Sequence, residues 1–126
     1  MNLRSPLGKV IGSGSAKDGT EHWLAQRISA AALVLLGLWF SGSLAGLNRF
    51  SHASMTAFIA EPLNAVLLSL LCATLAYHSY LGIQVVIEDY VHRKGLKVGS
   101  LIASRFAHVF VAILSIYAIL QIGLGA

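Results

Sequence analysis

The chain has 126 residues, of which 56% are hydrophobic and only 11% charged, and its mean hydropathy is +0.74. That balance excludes an ordinary soluble domain of this size, whose surface would carry far more charge. The formal charge of +4 sits mainly at the ends and connections of apolar blocks, so it reads as membrane orientation and not as nucleic-acid affinity.

Residues 1–21 are rich in Gly and Ser (Gly8, Gly12, Ser13, Gly14, Ser15) and hold no hydrophobic period, which predicts an irregular cytoplasmic segment. A phosphate-binding loop is excluded because no Walker pattern and no preceding strand are present. Glu21-His22-Trp23 leads into the first helix, with Trp23 suited to the membrane interface. Three apolar blocks follow, at about 28–47, 63–87 and 101–124. A bilayer core of about 30 Å needs roughly 20 apolar residues in a helix, and each block meets that length. The expectation is an all-α membrane protein with three transmembrane helices in one domain over residues 1–126, with residues 1–26 as its cytoplasmic segment.

Lys and Arg set the orientation. Arg4, Lys9, Lys17 and Arg27 precede the first span, and Arg93, Lys94 and Lys97 lie between the second and third. The first connection holds only Arg49. The positive-inside rule therefore places the N-terminus and the second connection in the cytoplasm and the C-terminus in the periplasm. Ser43-Leu44-Ala45 is loosely like a cleavage site, but the first block is longer than a signal core and follows a long polar-rich segment, so a retained span is expected. The absence of an Arg-rich amphipathic presequence points to a bacterial inner membrane rather than a mitochondrial one.

Within the first span, Gly42 and Gly46 form a GxxxG strip where another helix can approach closely. Glu61-Pro62 opens the second span, with proline at a first-turn position where its missing N–H has no consequence. Cys72, the single cysteine, reads as a small buried hydrophobe and excludes both an intrachain disulfide and an iron–sulfur cluster held by this chain. The connections read as short. Three spans with so few loops have little core of their own, and with His78, Thr74, Gly82 and the glycine strip this argues for a partner subunit.

The second span carries the chemistry. From Leu63 to Ile87 it has no Lys, Arg, Asp or Glu, and His78 is its one histidine. Asp89 follows eleven residues later, about 16 Å of helical rise and within roughly 20° of the same face. An ionisable side chain at membrane depth is a functional candidate by default. Three readings of His78 are open: a hydrogen bond to a neighbouring helix, a proton relay with Asp89 that needs bridging water, or axial ligation of haem iron. Gly82, one turn away on the same face, leaves room for a flat porphyrin. His108 in the third span is the internal candidate for a second ligand. It sits about one turn off the level of His78, so a ligand from another subunit is preferred, with His108 in an interhelical hydrogen bond.

The segment His78-Ser79-Tyr80-Leu81-Gly82-Ile83-Gln84-Val85-Val86-Ile87-Glu88-Asp89-Tyr90 resembles that of the small hydrophobic membrane-anchor subunit of succinate dehydrogenase. In that family a glycine stands four residues after the histidine, and Asp-Tyr follows after six intervening residues. Chain length, three spans and a cytoplasmic N-terminus agree, and Arg27 in Gln26-Arg27-Ile28-Ser29-Ala30 matches an arginine near the start of the first span. The resemblance implies that His78 is one axial ligand to a b-type haem, and that Arg27 pairs with a haem propionate. It further implies that Tyr90 hydrogen-bonds a ubiquinone carbonyl, with Asp89 supporting that tyrosine and the proton supply. The implied partners are a larger cytochrome b membrane subunit, an iron–sulfur subunit and a flavoprotein subunit, together with membrane lipid. Electrons from succinate, oxidised on other chains, would pass to quinone. The alternatives are a fumarate reductase anchor, or a non-redox accessory or transport subunit with His78 and Asp89 as a proton path. Asp89-Tyr90 as a plain helix end with an interfacial aromatic is the other reading of that pair.

The orientation is directly testable. A reporter fused after Ala126 should be active only on the periplasmic side, and one inserted near Lys94 only on the cytoplasmic side; the reverse pattern overturns the assignment.

Overall fold

The structure, a computed structural model, describes residues 16–125, with side chains from residue 19 onward. The expectation for the Gly- and Ser-rich stretch through Ser15, with Arg4 and Lys9, lies outside the described residues. The described residues form four helices: α1 (Ala16–Ala45), α2 (His52–Ala60), α3 (Pro62–Tyr90) and α4 (Lys94–Gly123). No strand occurs among the described residues, and α1, α3 and α4 are the three long enough and apolar enough to cross a membrane. The all-α membrane architecture is therefore as expected.

The helices overrun the apolar blocks. The first begins at Ala16 rather than near Ile28, and residues 16–21, expected to be irregular, are helical. Once a helix exists, each further residue adds a hydrogen bond at little cost, so it extends into polar sequence. The same effect carries α3 through Glu88-Asp89-Tyr90 and starts α4 at Lys94, before Leu101. With 30 residues each, α1 and α4 are about 45 Å long, well beyond a hydrocarbon core of about 30 Å.

The helix α2 corrects the expectation of a plain short connection. It forms because Ser51 and Ser54 cap its start reciprocally: the Ser54 N–H donates to Ser51 Oγ at 3.2 Å and the Ser51 N–H donates to Ser54 Oγ at 3.0 Å. Ser54 Oγ also donates to the Arg49 carbonyl at 2.6 Å. A single residue, Glu61, separates α2 from α3, and Pro62 then starts α3 at the position that tolerates proline. The Asn64 side-chain amide donates back to the Phe58 carbonyl at 3.0 Å, which ties the two helices at the corner.

The helix α3 is the centre of the molecule. It packs against α1 on one side and α4 on the other, while the backbones of α1 and α4 do not come together among the described residues. Ser29 meets His78, and Trp39 packs near Ala65 and Leu68, so α1 and α3 are antiparallel. His108 meets Ser79, and Gly123 lies beside Ala65, so α3 and α4 are antiparallel as well. The start of α1, the end of α3 and the start of α4 thus share one end of the bundle.

Packing is concentrated at the other end. Ala65, Leu68 and Ile119 are buried there, with Trp39, Phe40, Phe58, Ile59 and Cys72 against them. Trp39 stacks on Phe58 with ring centroids 6.2 Å apart. Beyond this cluster only Leu36 and Leu81 are buried hydrophobics among the described residues, whereas Leu35, Leu38, Val66, Phe106, Phe110 and many others are exposed. In water such a surface would aggregate; against lipid or another apolar subunit it is at home.

Ser51→Ala removes the α2 cap. It should destabilise that helix by about 0.5–2 kcal/mol, read as faster amide exchange in residues 52–60 with α3 and α4 unchanged; equal exchange in the variant would show the cap to be dispensable.

Candidate functional site

His78 lies on the α1 side of α3, and α1 engages both its ring nitrogens. Ser29 Oγ is 2.9 Å from Nδ1, and the Gln26 side-chain amide nitrogen is 3.5 Å from Nε2. The second distance is long for a hydrogen bond, so Ser29 is the firm partner. Ser29 is the one buried polar or charged residue among those described, at 5% exposure, and its hydroxyl also donates to the Gln26 carbonyl at 3.1 Å. Gln26 lies along α3 from His78 to Gly82, where a Cβ added to the glycine would meet its amide nitrogen at 3.8 Å. That is ordinary contact, so nothing within this chain forces glycine at position 82.

His22, Gln26 and Ser29 fall at i, i+4 and i+7 on α1 and make a polar stripe on an otherwise apolar helix. His22 Nε2 and Gln26 Oε1 on this stripe are buried without a hydrogen-bond partner. None of the three was singled out from the sequence. The signal was available: polar residues at helical spacing in an apolar span mark the face toward a neighbour.

The residue after His78 serves the opposite neighbour. Successive helical residues are about 100° apart, and Ser79 faces α4, where its Oγ is 3.1 Å from His108 Nε2. The His108 Nδ1–H donates to the Ser104 carbonyl at 2.7 Å, which leaves Nε2 to accept from the Ser79 hydroxyl. His108 is therefore satisfied within the hairpin of α3 and α4, on the other side of α3 from the Ser29 contact. Two shallow cavities of about 330 and 240 Å³ flank it. Tyr80 meets the His108 ring edge-on at 6.0 Å between centroids, and the Arg105 guanidinium carbon stands 5.7 Å from the Tyr80 ring centre. Arg105, an arginine inside the third span to which the sequence reading gave no role, uses that ring face to hold its charge at depth.

The remaining predicted residues lie toward the common end of the bundle. Arg27 is exposed on α1 with its guanidinium carbon 5.6 Å from the Trp23 ring centre. Asp89 and Tyr90 are the last residues of α3, both exposed, Tyr90 at 77%. The helix is unbroken from His78 to Tyr90, so the three-turn separation of His78 and Asp89 stands. A groove of about 470 Å³ between α1 and α3, lined by Ser29, Thr74 and Tyr77 among others, opens beside His78.

An antiparallel set of apolar helices around one central span, with a histidine on that span and an acid–tyrosine pair at its end, is the architecture of a small integral-membrane protein. The chain belongs to the succinate dehydrogenase/fumarate reductase transmembrane subunit family, whose model matches residues 1–120. It is 34% identical over 123 residues to a protein of Rickettsia bellii, covering 97% of this chain and 98% of that one. It is 29% identical over 126 residues to one of Paracoccus denitrificans, covering 100% and 97%. A Rickettsia conorii relative is 35% identical over 91 residues, covering 71% and 72%. Each of the three carries the name succinate dehydrogenase hydrophobic membrane anchor subunit. The resemblance drawn from residues 78–90 thus holds along the whole chain.

The Ser79–His108 bond should be measurable by a double-mutant cycle. Ser79→Ala and His108→Ala are expected to couple by about 0.6 kcal/mol, the usual size of an interhelical hydrogen bond in a membrane; additive effects would mean the contact contributes nothing to the hairpin.

Proposed function

We propose that this chain is the anchor subunit of a bacterial succinate:quinone oxidoreductase, helping to hold a b-type haem and ubiquinone at the inner membrane. The observation that carries this reading is His78, held by α1 at depth on the same unbroken helix that ends in exposed Asp89-Tyr90. The full-length relatives and their names support the succinate direction. Organisms such as Rickettsia and Paracoccus support the bacterial inner membrane, with the N-terminus cytoplasmic and the C-terminus periplasmic by the positive-inside rule.

The residues fit a haem. His78 offers an imidazole, Gly82 presents no side chain one turn away, and the glutamine amide near Nε2 is held loosely, its oxygen without a partner. When bound, the haem supplies a one-electron store between the succinate-oxidising chains and the quinone. Arg27, exposed near the start of the apolar part of α1, is the propionate partner in this reading. The second iron ligand comes from a larger cytochrome b subunit, since His108 is occupied with Ser79 and Ser104. The iron–sulfur and flavoprotein subunits complete the complex, and the exposed apolar faces of α1 and α4 have lipid and the larger subunit to cover them.

Reducing ubiquinone takes two electrons and two protons. A site at the water boundary has access to protons, and Tyr90 and Asp89 stand there. The Tyr90 hydroxyl donates to a quinone carbonyl and stabilises negative charge developing on it. The Asp89 carboxylate, open to water, orients that hydroxyl and relays protons to the site. A non-redox proton path from His78 to Asp89 gains no support, because Gly82 and Val85, on the face between them, bring no polar side chain.

A reduced-minus-oxidised visible spectrum of the assembled complex tests the reading. His78→Leu should lose or alter the low-spin haem signal while His108→Leu keeps it; an unchanged spectrum in His78→Leu would remove the ligand assignment. At equal complex content, Tyr90→Phe should lower quinone reduction by up to about a hundredfold while succinate oxidation by an artificial acceptor persists, and Asp89→Asn should slow turnover through proton supply. Wild-type quinone turnover in both variants would return Asp89-Tyr90 to a simple helix end.

A further inference from the structure

We propose that Ser29 is a positioning residue: its hydroxyl fixes the tautomer and orientation of His78, so that the Nε2 lone pair is the one presented to iron. The proposal rests on the haem reading and goes beyond it to a residue on a different helix.

A serine hydroxyl has one hydrogen to give. Ser29 donates it to the Gln26 carbonyl at 3.1 Å on its own helix, so toward His78 Nδ1, at 2.9 Å, its oxygen accepts. The hydrogen of the neutral imidazole therefore sits on Nδ1, and Nε2 carries the lone pair. Burial favours the arrangement. Ser29 is 5% exposed, so water has little access to its hydroxyl. The back-bond to Gln26 also locks the serine rotamer, so the acceptor does not wander.

The surroundings of Nε2 agree. Beside it stands the Gln26 amide nitrogen, at 3.5 Å, too long to bind the lone pair firmly. The oxygen of that amide is buried and unpartnered, so this side chain has little to hold it and can turn aside for an incoming ligand. Metal-ligating histidines generally donate their other N–H to an oxygen, which orients the ring and raises its basicity. A carboxylate in that role would carry a charge into the hydrocarbon region, which is costly; a hydroxyl does the same task without charge. A more basic imidazole favours ferric over ferrous iron and so holds the haem potential down.

The test uses the whole complex with Ser29→Ala, Ser29→Thr and Ser29→Cys, alongside His78→Leu. Ser29→Ala should shift the haem midpoint potential to more positive values and move the low-spin ferric electron-paramagnetic-resonance g values. It should also weaken haem retention by about 10- to 100-fold. Ser29→Thr, which keeps the hydroxyl, should restore all three. Wild-type potential, g values and retention in Ser29→Ala, in a complex where His78→Leu loses the low-spin signal, would overturn the role of Ser29 while leaving the haem reading intact. An unchanged spectrum in His78→Leu would instead strike the haem reading itself. Should Ser29→Ala not assemble, Ser29→Cys, a poorer acceptor of similar size, must still shift positive relative to Ser29→Thr; equal potentials in those two would overturn the proposal.

Discussion

Apolar surface cannot hold these helices together in a membrane, because lipid is as apolar as leucine. What is left is close packing and the few polar side chains that must find partners away from water. The side-chain hydrogen bonds that α1 and α4 make to another helix both end on α3. Its residues 78 and 79 face opposite neighbours, His78 joining α1 through Ser29 and Ser79 joining α4 through His108. The backbones of α1 and α4 do not come together among the described residues, so these contacts and the small cluster around Ala65, Leu68 and Ile119 carry the internal cohesion.

This arrangement explains why so few side chains are buried. Leu35, Leu38, Val66, Phe106 and Phe110 are among the large apolar side chains left exposed. A protein of this family has no need to be a self-contained bundle, because other subunits and lipid supply the missing packing. Its two histidines at depth divide the work accordingly. His108 spends both nitrogens on the α3–α4 hairpin. His78 has a firm partner at one nitrogen and a loose one at the other.

The same helix links depth to surface. Between His78 and Asp89 the backbone is continuous α-helix, a rigid spacer of about 16 Å. Electron carriers are best kept dry and proton donors near water. Under the proposed function, one continuous helix with a histidine three turns from its end would meet both demands.

The sequence by itself determined the three spans, because a bilayer admits only long apolar stretches whose backbone satisfies itself. It also determined His78, Asp89 and Tyr90 as one helical register, since fixed spacing on a continuous helix fixes relative position. Helix ends were less legible: hydropathy marks where lipid begins, while hydrogen bonding runs on through Ala16–Glu21, Glu88–Tyr90 and Lys94–Ser100. The capped helix over His52–Ala60 was hidden because its Ser51–Ser54 box carries no acidic residue and looks like loop composition. Ser29, Gln26 and the bond between Ser79 and His108 were decided only by tertiary structure. Which face of α3 each neighbour covers depends on the packing of α1 and α4, and a spacing within one helix says nothing about the side chain that meets it from another.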